Sequence, residues 1–191
     1  VLITTSTTSA TMAELKAINT GTTGFVNALS VTGITAGTVA DATGVLITNQ
    51  GTSGNKIDTL ASVNVVLSTD TTVTATALAA LNAATTGFLD ASAAIATITA
   101  GSTAQLLNIQ VTNQGEIAAG NKVQTATDVN VTFSAVETAT DADLTAIMTS
   151  TTGTTNINSI TSITAAGATT TAAILANDAQ VTHDTDFTVV F

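Results

Sequence analysis

The chain has 191 residues, of which 45% are hydrophobic and 8% are charged, and its net charge is −10. Ordinary globular proteins carry roughly 25% charged residues and disordered chains are poor in apolar ones, so we expect a folded protein with an uncharged polar surface. Three lysines without any arginine exclude nucleic acid and anionic membrane surfaces, because a protein needs cations to bind either partner. No apolar run approaches the roughly 20 residues of a membrane-spanning helix, so membrane insertion is not expected.

The first predicted element is an N-terminal strand made of Val1, Leu2, Ile3, Thr4 and Thr5. Similar strands occupy residues 63–67 and 129–133, and the chain ends on a copy made of Phe187, Thr188, Val189, Val190 and Phe191. We call these four segments the copies of the recurrent strand. Alternate apolar residues of each copy share one face, which we expect to point inward. The four copies enclose three intervals and predict one repetitive domain, 1–191, with repeats at about 1–67, 68–133 and 134–191.

Each repeat then contains a short helical pattern, at residues 13–19, 76–82 and 142–147. Apolar residues spaced three apart in these segments share one face of a helix. Thr11 and Glu14 predict a capping box at the start of the first helix, and Thr140 with Asp143 is a near copy. Each pattern leads into a Thr-Thr-Gly motif, at residues 22–24, 85–87 and 151–153, whose glycine we expect to supply a left-handed turn.

The second half of each repeat is an extended Thr-rich stretch followed by another helical pattern, at residues 38–47, 103–109 and 170–176. A strand–helix unit of this size cannot bury its own apolar side, whereas stacked units bury a continuous core. We therefore expect a mainly β protein with short helices, built as a repetitive β-solenoid-like stack of strand–helix units. A β-sandwich with helical excursions is the alternative fold, because regularly spaced short strands suit it equally.

Lys56 and Lys122 occupy matched places in a Gly-Asn-Lys step after the second helix of the first two repeats. One interpretation is a buried lysine paired with Asp58 or Asp128, because a buried ammonium needs a carboxylate partner. The other interpretation is a solvated lysine in a loop, which is the usual place of this residue.

Acidic residues are the candidate metal ligands of this sequence. Two groups of carboxylates are candidate calcium ligands: Glu137, Asp141 and Asp143, and then Asp178, Asp184 and Asp186. Calcium takes several hard oxygen ligands, although no EF-hand loop is present and the same side chains suit helix caps and solubilising charges. The chain has no cysteine for thiolate metal sites, and we expect no other cofactor.

The segments at residues 13–24 and 78–92 resemble repeats of very large secreted proteins of cyanobacteria, whose pattern reads ELNAINAATTG followed by VDASAV and ITG. The resemblance extends over nearly all of the chain, and the third copy departs from the pattern at residues 147–150. It implies an extracellular or cell-surface location and a structural or adhesive role. It implies no catalytic residue.

Two functions compete. The matched terminal strands favour an extracellular structural subunit that assembles head to tail with copies of itself into a filament or surface layer, because a free edge strand is a template for another chain. The alternative is an adhesin or binding module of a giant repetitive cell-surface protein. Sugar binding is not expected, because the chain lacks the Trp and Tyr that form sugar platforms. Catalysis is not expected either, since His183 is the only histidine and no Gly-x-Ser-x-Gly elbow is present.

Overall fold

The structure is a computed structural model that describes residues 1–3, 8–115, 122–186 and 188–191. Three residues assigned above to the terminal copies of the recurrent strand, Thr4, Thr5 and Phe187, lie outside the described residues.

The helices lie close to where the sequence predicts them. They are α1 (Met12–Thr20), α2 (Val39–Thr43), α3 (Ala75–Ala84), α4 (Thr103–Leu107), α5 (Asp141–Thr149) and α6 (Ala168–Leu175). The predicted capping box is confirmed: the Thr11 amide donates to Glu14 Oε2 at 2.8 Å, and the Glu14 amide donates to Thr11 Oγ1 at 3.1 Å. Thr140 accepts from the Asp143 amide in the same way. Among the described residues, no helix has the length and apolar character that crossing a membrane requires.

A feature that the sequence patterns do not predict follows α2 and α4. Each of these helices continues into one turn of π-helix, at Gly44–Thr48 and Asn108–Thr112. The side chains of Val45, Leu46 and Ile109 on these turns are buried. The wider turn therefore extends the apolar face of the second helix of the repeat into the core.

The strands are short, and two or three of them lie between successive helical segments of the repeats. They are β1 (Ser9–Thr11), β2 (Val26–Ala28), β3 (Gly33–Ala36), β4 (Ile57–Thr59), β5 (Asn64–Leu67), β6 (Thr72–Thr74), β7 (Leu89–Asp90), β8 (Thr97–Gly101), β9 (Val123–Gln124), β10 (Asn130–Phe133), β11 (Glu137–Thr140), β12 (Thr155–Asn156), β13 (Ile160–Thr164), β14 (Val181–Thr182) and β15 (Thr188–Val190). All pairs among these described strands are parallel.

Every step of the pairing order skips one strand, because a helix and one other strand lie between each strand and its next partner in the sheet. Two five-stranded sheets have the orders β1-β3-β5-β7-β9 and β6-β8-β10-β12-β14. A three-stranded sheet has the order β11-β13-β15, and β2 pairs with β4. Parallel strands need such crossover connections, whereas sandwiches of the immunoglobulin type are built from antiparallel strands. The described chain is therefore a mixed α/β protein with parallel sheets, richer in helix than a mainly β protein.

The inward face predicted for the recurrent strand is confirmed in the two inner copies. Val65 and Leu67 of β5 are fully buried, and so, to within one per cent, are Val131 and Phe133 of β10. These residues belong to one apolar cluster that runs from Ala10 to Val181. The core is thus continuous across the repeat boundaries, and the recurrent strand lies inside it.

The expected left-handed turn at the Thr-Thr-Gly motif is wrong. The described glycines with positive φ are Gly51 and Gly54, whereas Gly24, Gly87 and Gly153 are not among them. A Cβ atom on Gly87 would lie 2.6 Å from the Ser62 carbonyl oxygen, and one on Gly153 would collide in the same way with the backbone before β10. The motif needs glycine because another stretch of backbone approaches it, not because of its own dihedral angles.

We predict that Gly87→Ala lowers the free energy of unfolding by about 2 kcal/mol or more, because a methyl group has no room against the backbone before β5. Urea unfolding followed by circular dichroism measures the change. Gly33→Ala is the matched control, since nothing lies within 4 Å of a Cβ atom at that position. Equal unfolding midpoints for the two variants would contradict the assignment.

The first two helices are joined by an ion pair between Lys16 and Asp41, with Nζ 2.5 Å from Oδ1. The Lys16 hydrogen bond, and then that of Thr38, lowers the pKa of Asp41 below its ordinary value of 3.8. The stability that the pair contributes is present above that ordinary value and is lost as the pH falls through the lowered pKa of the folded state. Lys16→Met should therefore lower the urea midpoint slightly at neutral pH and have a smaller effect in acid, as Asp41 becomes protonated. An equal effect at neutral and acid pH would contradict the pairing.

Candidate assembly interface

The inner copies of the recurrent strand are paired along both edges. β5 lies between β3 and β7, and β10 lies between β8 and β12. Successive amides of β5 point in opposite directions: the Asn64 amide donates to the Thr32 carbonyl at 2.9 Å, and the Val65 amide donates to the Phe88 carbonyl at 2.8 Å. One strand thus joins the sheet of its own repeat to the strands of the following repeat.

The N-terminal copy is paired along one edge. Leu2 bridges Asn27 of β2, and the Asn27 amide donates to the Val1 carbonyl at 2.7 Å. The Val1 ammonium donates to the Phe25 carbonyl at 2.9 Å, as the Val65 amide does to Phe88. Val1 therefore takes the place of Val65. Aligning the copies from their first residues would instead place Val1 at Val63, two residues earlier.

The C-terminal copy is paired along the opposite edge. β15 pairs with β13, with Ile163 opposite Val189, and the Ala165 amide donates to the Val190 carbonyl at 2.8 Å. Ile34 stands opposite Val65 in the same register, so Val189 is the counterpart of Val65. The edge of β15 that corresponds to the β7 side of β5 is unpaired among the described residues. The amide of Val189 points toward that edge, because the amide of Val65 does so in β5.

Apolar side chains at the two ends are exposed where their counterparts are buried. Phe191 is 79% exposed, whereas Leu67 and Phe133, which hold the same place in the inner copies, are buried. Val1 and Leu2 are more than half exposed at the other end. Val1 and Phe191 are therefore exposed at the positions where Val65 and Leu67 are buried.

The two end sheets are complementary halves of the five-stranded sheet. One half has the order β11-β13-β15, and the other consists of residues 1–3 followed by β2 and β4. If one recurrent strand stood in place of both β15 and residues 1–3, the strand order across the two half sheets would match β1-β3-β5-β7-β9. The two end sheets thus correspond to the two halves of that five-stranded sheet.

The carboxylates proposed as calcium ligands do not form one cluster. Glu137 Oε1 accepts from the Thr103 amide at 2.5 Å and from Thr103 Oγ1 at 2.8 Å. Asp141 is buried, and its Oδ2 accepts from the Ala166 amide at 3.1 Å. Asp143 follows in the first turn of α5. Glu137 and Asp141 thus both accept hydrogen bonds from backbone amides at or near the start of a neighbouring helix.

The later group of acidic residues lies at the surface near the C-terminus. Asp178, Asp184 and Asp186 are exposed, and Asp184 Oδ1 accepts from the Thr185 amide at 2.8 Å. Nearby, the His183 ring contacts the carbonyl oxygens of Asp184 and Leu175. Within the described ranges, no group of three metal-ligating side chains comes close enough to hold one ion. The calcium hypothesis therefore depends on the sequence alone.

Two carboxylates act as helix caps supplied by the following repeat. Asp70 Oδ2 accepts from the Val39 amide at the start of α2 at 2.5 Å, and Glu137 does the same for Thr103 at the start of α4. The sequence reasoning missed Asp70, because it lies 31 residues from the amide that it caps. Asp70 and Glu137 both precede the first helix of their repeats, and this shared position is the signal that would have identified Asp70.

Lys56 and Lys122 bind backbone carbonyls rather than carboxylates. Lys56 Nζ donates to the Thr48 carbonyl at 2.7 Å, and Lys122 Nζ donates to the Thr112 carbonyl at 2.8 Å. Each carbonyl belongs to the last residue of a π-helical turn. The two lysines therefore cap the C-terminal ends of these turns, where the last carbonyl groups have no partner within the helix.

Neither protein-family models, nor curated proteins, nor solved structures give a match to this chain. The proposals below therefore depend on its own sequence and geometry.

We predict that Asp70→Ala and Glu137→Ala each lower the free energy of unfolding by about 1 kcal/mol, because each removes the side-chain cap of a helix in the preceding repeat. Urea unfolding midpoints measure the loss. Asp178→Ala is the control, since this exposed carboxylate caps no helix in the described part of the chain. The cap assignment fails if the three variants unfold alike.

Proposed function

We propose that the protein is an extracellular structural subunit that assembles head to tail, through its terminal strands, into a filament or surface layer. The observation that supports this most directly is the pair of complementary half sheets at its two ends. Among the described residues, each half leaves an edge of unpaired backbone groups, and such an edge is a template for another chain. A contact between unlike ends of identical molecules does not close on itself and produces a linear polymer.

On this proposal, the strand–helix units form a β-solenoid-like stack that continues from one copy to the next. Contacts between consecutive helices, from α1 with α2 to α5 with α6, support a stack in chain order. The continuous apolar cluster supports it as well, because the core already crosses two repeat boundaries. A third boundary between copies would be built from the same strand.

The extracellular location is part of the proposal and is supported by the resemblance to secreted cyanobacterial repeats. It is also supported by the composition, because three lysines and no arginine offer trypsin-like proteases almost no cleavage site. A module of a giant adhesive cell-surface protein is the second candidate. The strands shared between repeats favour this candidate too. In a longer protein, a continuous chain would join neighbouring repeats in the way that β5 and β10 join them here.

We predict that the purified protein forms linear polymers at neutral pH and that Val189→Pro abolishes them. Proline removes the amide that points to the open edge of β15, while the hydrogen bond from Ala165 to the Val190 carbonyl stays possible. Electron microscopy and multi-angle light scattering measure the polymers, and circular dichroism shows whether the variant folds.

Val136→Pro is the matched control for this experiment. Val136 is 79% exposed and precedes β11, far in sequence from the terminal strands, so its substitution leaves the open edge intact. Monodisperse wild-type monomers over a wide concentration range would overturn the structural-subunit proposal and favour the module of a longer protein. Polymers that persist in Val189→Pro would remove β15 from the contact.

A further inference from the structure

Three positions of the core recur in every repeat. The first is the residue that begins the first helix, the second is the second residue after the Thr-Thr-Gly motif, and the third is the fourth residue after the N-cap of the second helix. In the first two repeats these positions hold fully buried apolar residues, which are Met12, Val26 and Ala42, and then Ala75, Leu89 and Leu106. This part of the core is therefore apolar in both repeats.

The third repeat holds polar residues at the same three positions. They are Asp141, Thr155 and Thr171, and their exposed fractions are 2%, 0% and 3%. Their places in the fold match those of the apolar counterparts, since Thr155 pairs with Val181 as Leu89 pairs with Val123. The third repeat therefore places polar groups inside the core, where the first two repeats place apolar side chains.

The hydroxyl groups of Thr155 and Thr171 have no hydrogen-bond partner among the described residues. A buried polar group without a partner costs the free energy of its removal from water, which folding then does not recover. Other buried threonines show the contrast. Thr59 Oγ1 donates to Gln50 Oε1 at 3.0 Å, and Thr151 Oγ1 donates to the Val129 carbonyl at 2.6 Å.

Buried oxygen atoms without a partner occur in the second repeat as well, on the amide side chains of Gln114 and Gln124. Both residues are half-buried as a whole, whereas Thr155 and Thr171 are at least 97% buried. The described part of the first repeat contains no such atom. The least favourable burial of polar groups therefore falls in the third repeat.

The second helix of the third repeat also begins differently. Thr38 and Ser102 cap α2 and α4 through their side chains, whereas α6 follows Gly167, which has no side-chain oxygen. Asp141 Oδ2 accepts from the Ala166 amide at 3.1 Å, so a buried carboxylate lies beside the start of α6. Burying a charged group is costly even when it accepts hydrogen bonds. The start of α6 is therefore less favourable than the starts of α2 and α4.

We infer that the third repeat is a releasable unit, in which residues 141–182 open as one segment while the first two repeats stay folded. Proteins open first where their local stability is lowest. The two unpartnered hydroxyl groups, the buried carboxylate and the helix without a side-chain cap all lie in this segment. The inference does not depend on the proposed function.

Opening of this unit changes the surroundings of an inner copy of the recurrent strand. In the closed structure β10 pairs with β12, and the Val131 amide donates to the Thr154 carbonyl at 2.8 Å. When β12 leaves, the edge of β10 that faced it loses these partners, while the pairing of β10 with β8 is kept. The released state therefore exposes a strand edge that can pair with another strand.

Native-state hydrogen exchange of the full chain tests the inference, because matched amides report on the second and third repeats. The Ala91 amide donates to the Gln124 carbonyl and the Ile157 amide donates to the Thr182 carbonyl, both at 2.8 Å. We expect the protection factor of Ile157 to be about tenfold or more lower than that of Ala91. An equal or higher protection factor for Ile157 would overturn the inference.

Thr155→Val and Thr171→Val test the cause, because valine has the shape of threonine without the hydroxyl group. We expect each variant to raise the protection factor of Ile157 by about fivefold or more. Thr59→Val is the matched control and should bring no such rise, because the Thr59 hydroxyl group has a partner. Unchanged protection of Ile157 in either test variant, or an equal rise in the control, would overturn the inference, however fast Ile157 exchanges in the wild type.

Val26→Thr is the reciprocal variant, because it places a hydroxyl group at the matched position of the first repeat. Val26 pairs with Ile57, whose amide donates to the Asn49 carbonyl at 2.7 Å. We expect the protection factor of Ile57 to fall by about fivefold or more, with circular dichroism as the check that the variant folds. An Ile57 amide that exchanges as slowly as in the wild type would overturn the cost assigned to the buried hydroxyl groups, and the inference with it.

Discussion

The fold depends on one constraint, which is that the backbone groups of the recurrent strand must be paired along both edges. Buried amides and carbonyls without partners are costly, so a strand inside the core needs a neighbour on each side. β5 and β10 meet this requirement by belonging to two repeats at once. Gly87, which the backbone before β5 approaches closely, and Asn64, whose Oδ1 accepts from the Phe88 amide at 2.9 Å, both contribute to holding that shared strand in place.

Local features of the fold could be predicted from the sequence. Thr11 and Glu14 cap α1 as their spacing indicates, and Val65 and Leu67 face inward as their alternation indicates. These features depend on residues a few positions apart, where periods of 2 and 3.6 residues apply directly. The place of the recurrent strand at the repeat boundary also followed from the sequence, because self-similarity marks the unit that is copied.

Features that depend on distant parts of the chain could not be predicted in this way. The partner of Asp70 is an amide in the preceding repeat, and the close approach at Gly87 involves backbone more than 20 residues away. We expected a turn at this glycine because turns are the commonest use of glycine, and only the fold shows which backbone approaches it. The π-helical turns escaped prediction for a related reason, since their extra residue keeps Val45 and Ile109 in a core that the linear pattern does not define.

Sharing of one strand by two repeats has a consequence for mechanical breakage. A fibre of the proposed kind separates without breaking a peptide bond only at the boundaries between copies, because β5 and β10 are continuous with the chain on both sides. All such fracture surfaces are equivalent, so any two fragments can anneal without chemical repair. Stacked-repeat proteins commonly end in polar capping repeats that stop growth, whereas Leu2 and Phe191 here are apolar and exposed. The length of such a fibre would then depend on the balance of shear and annealing.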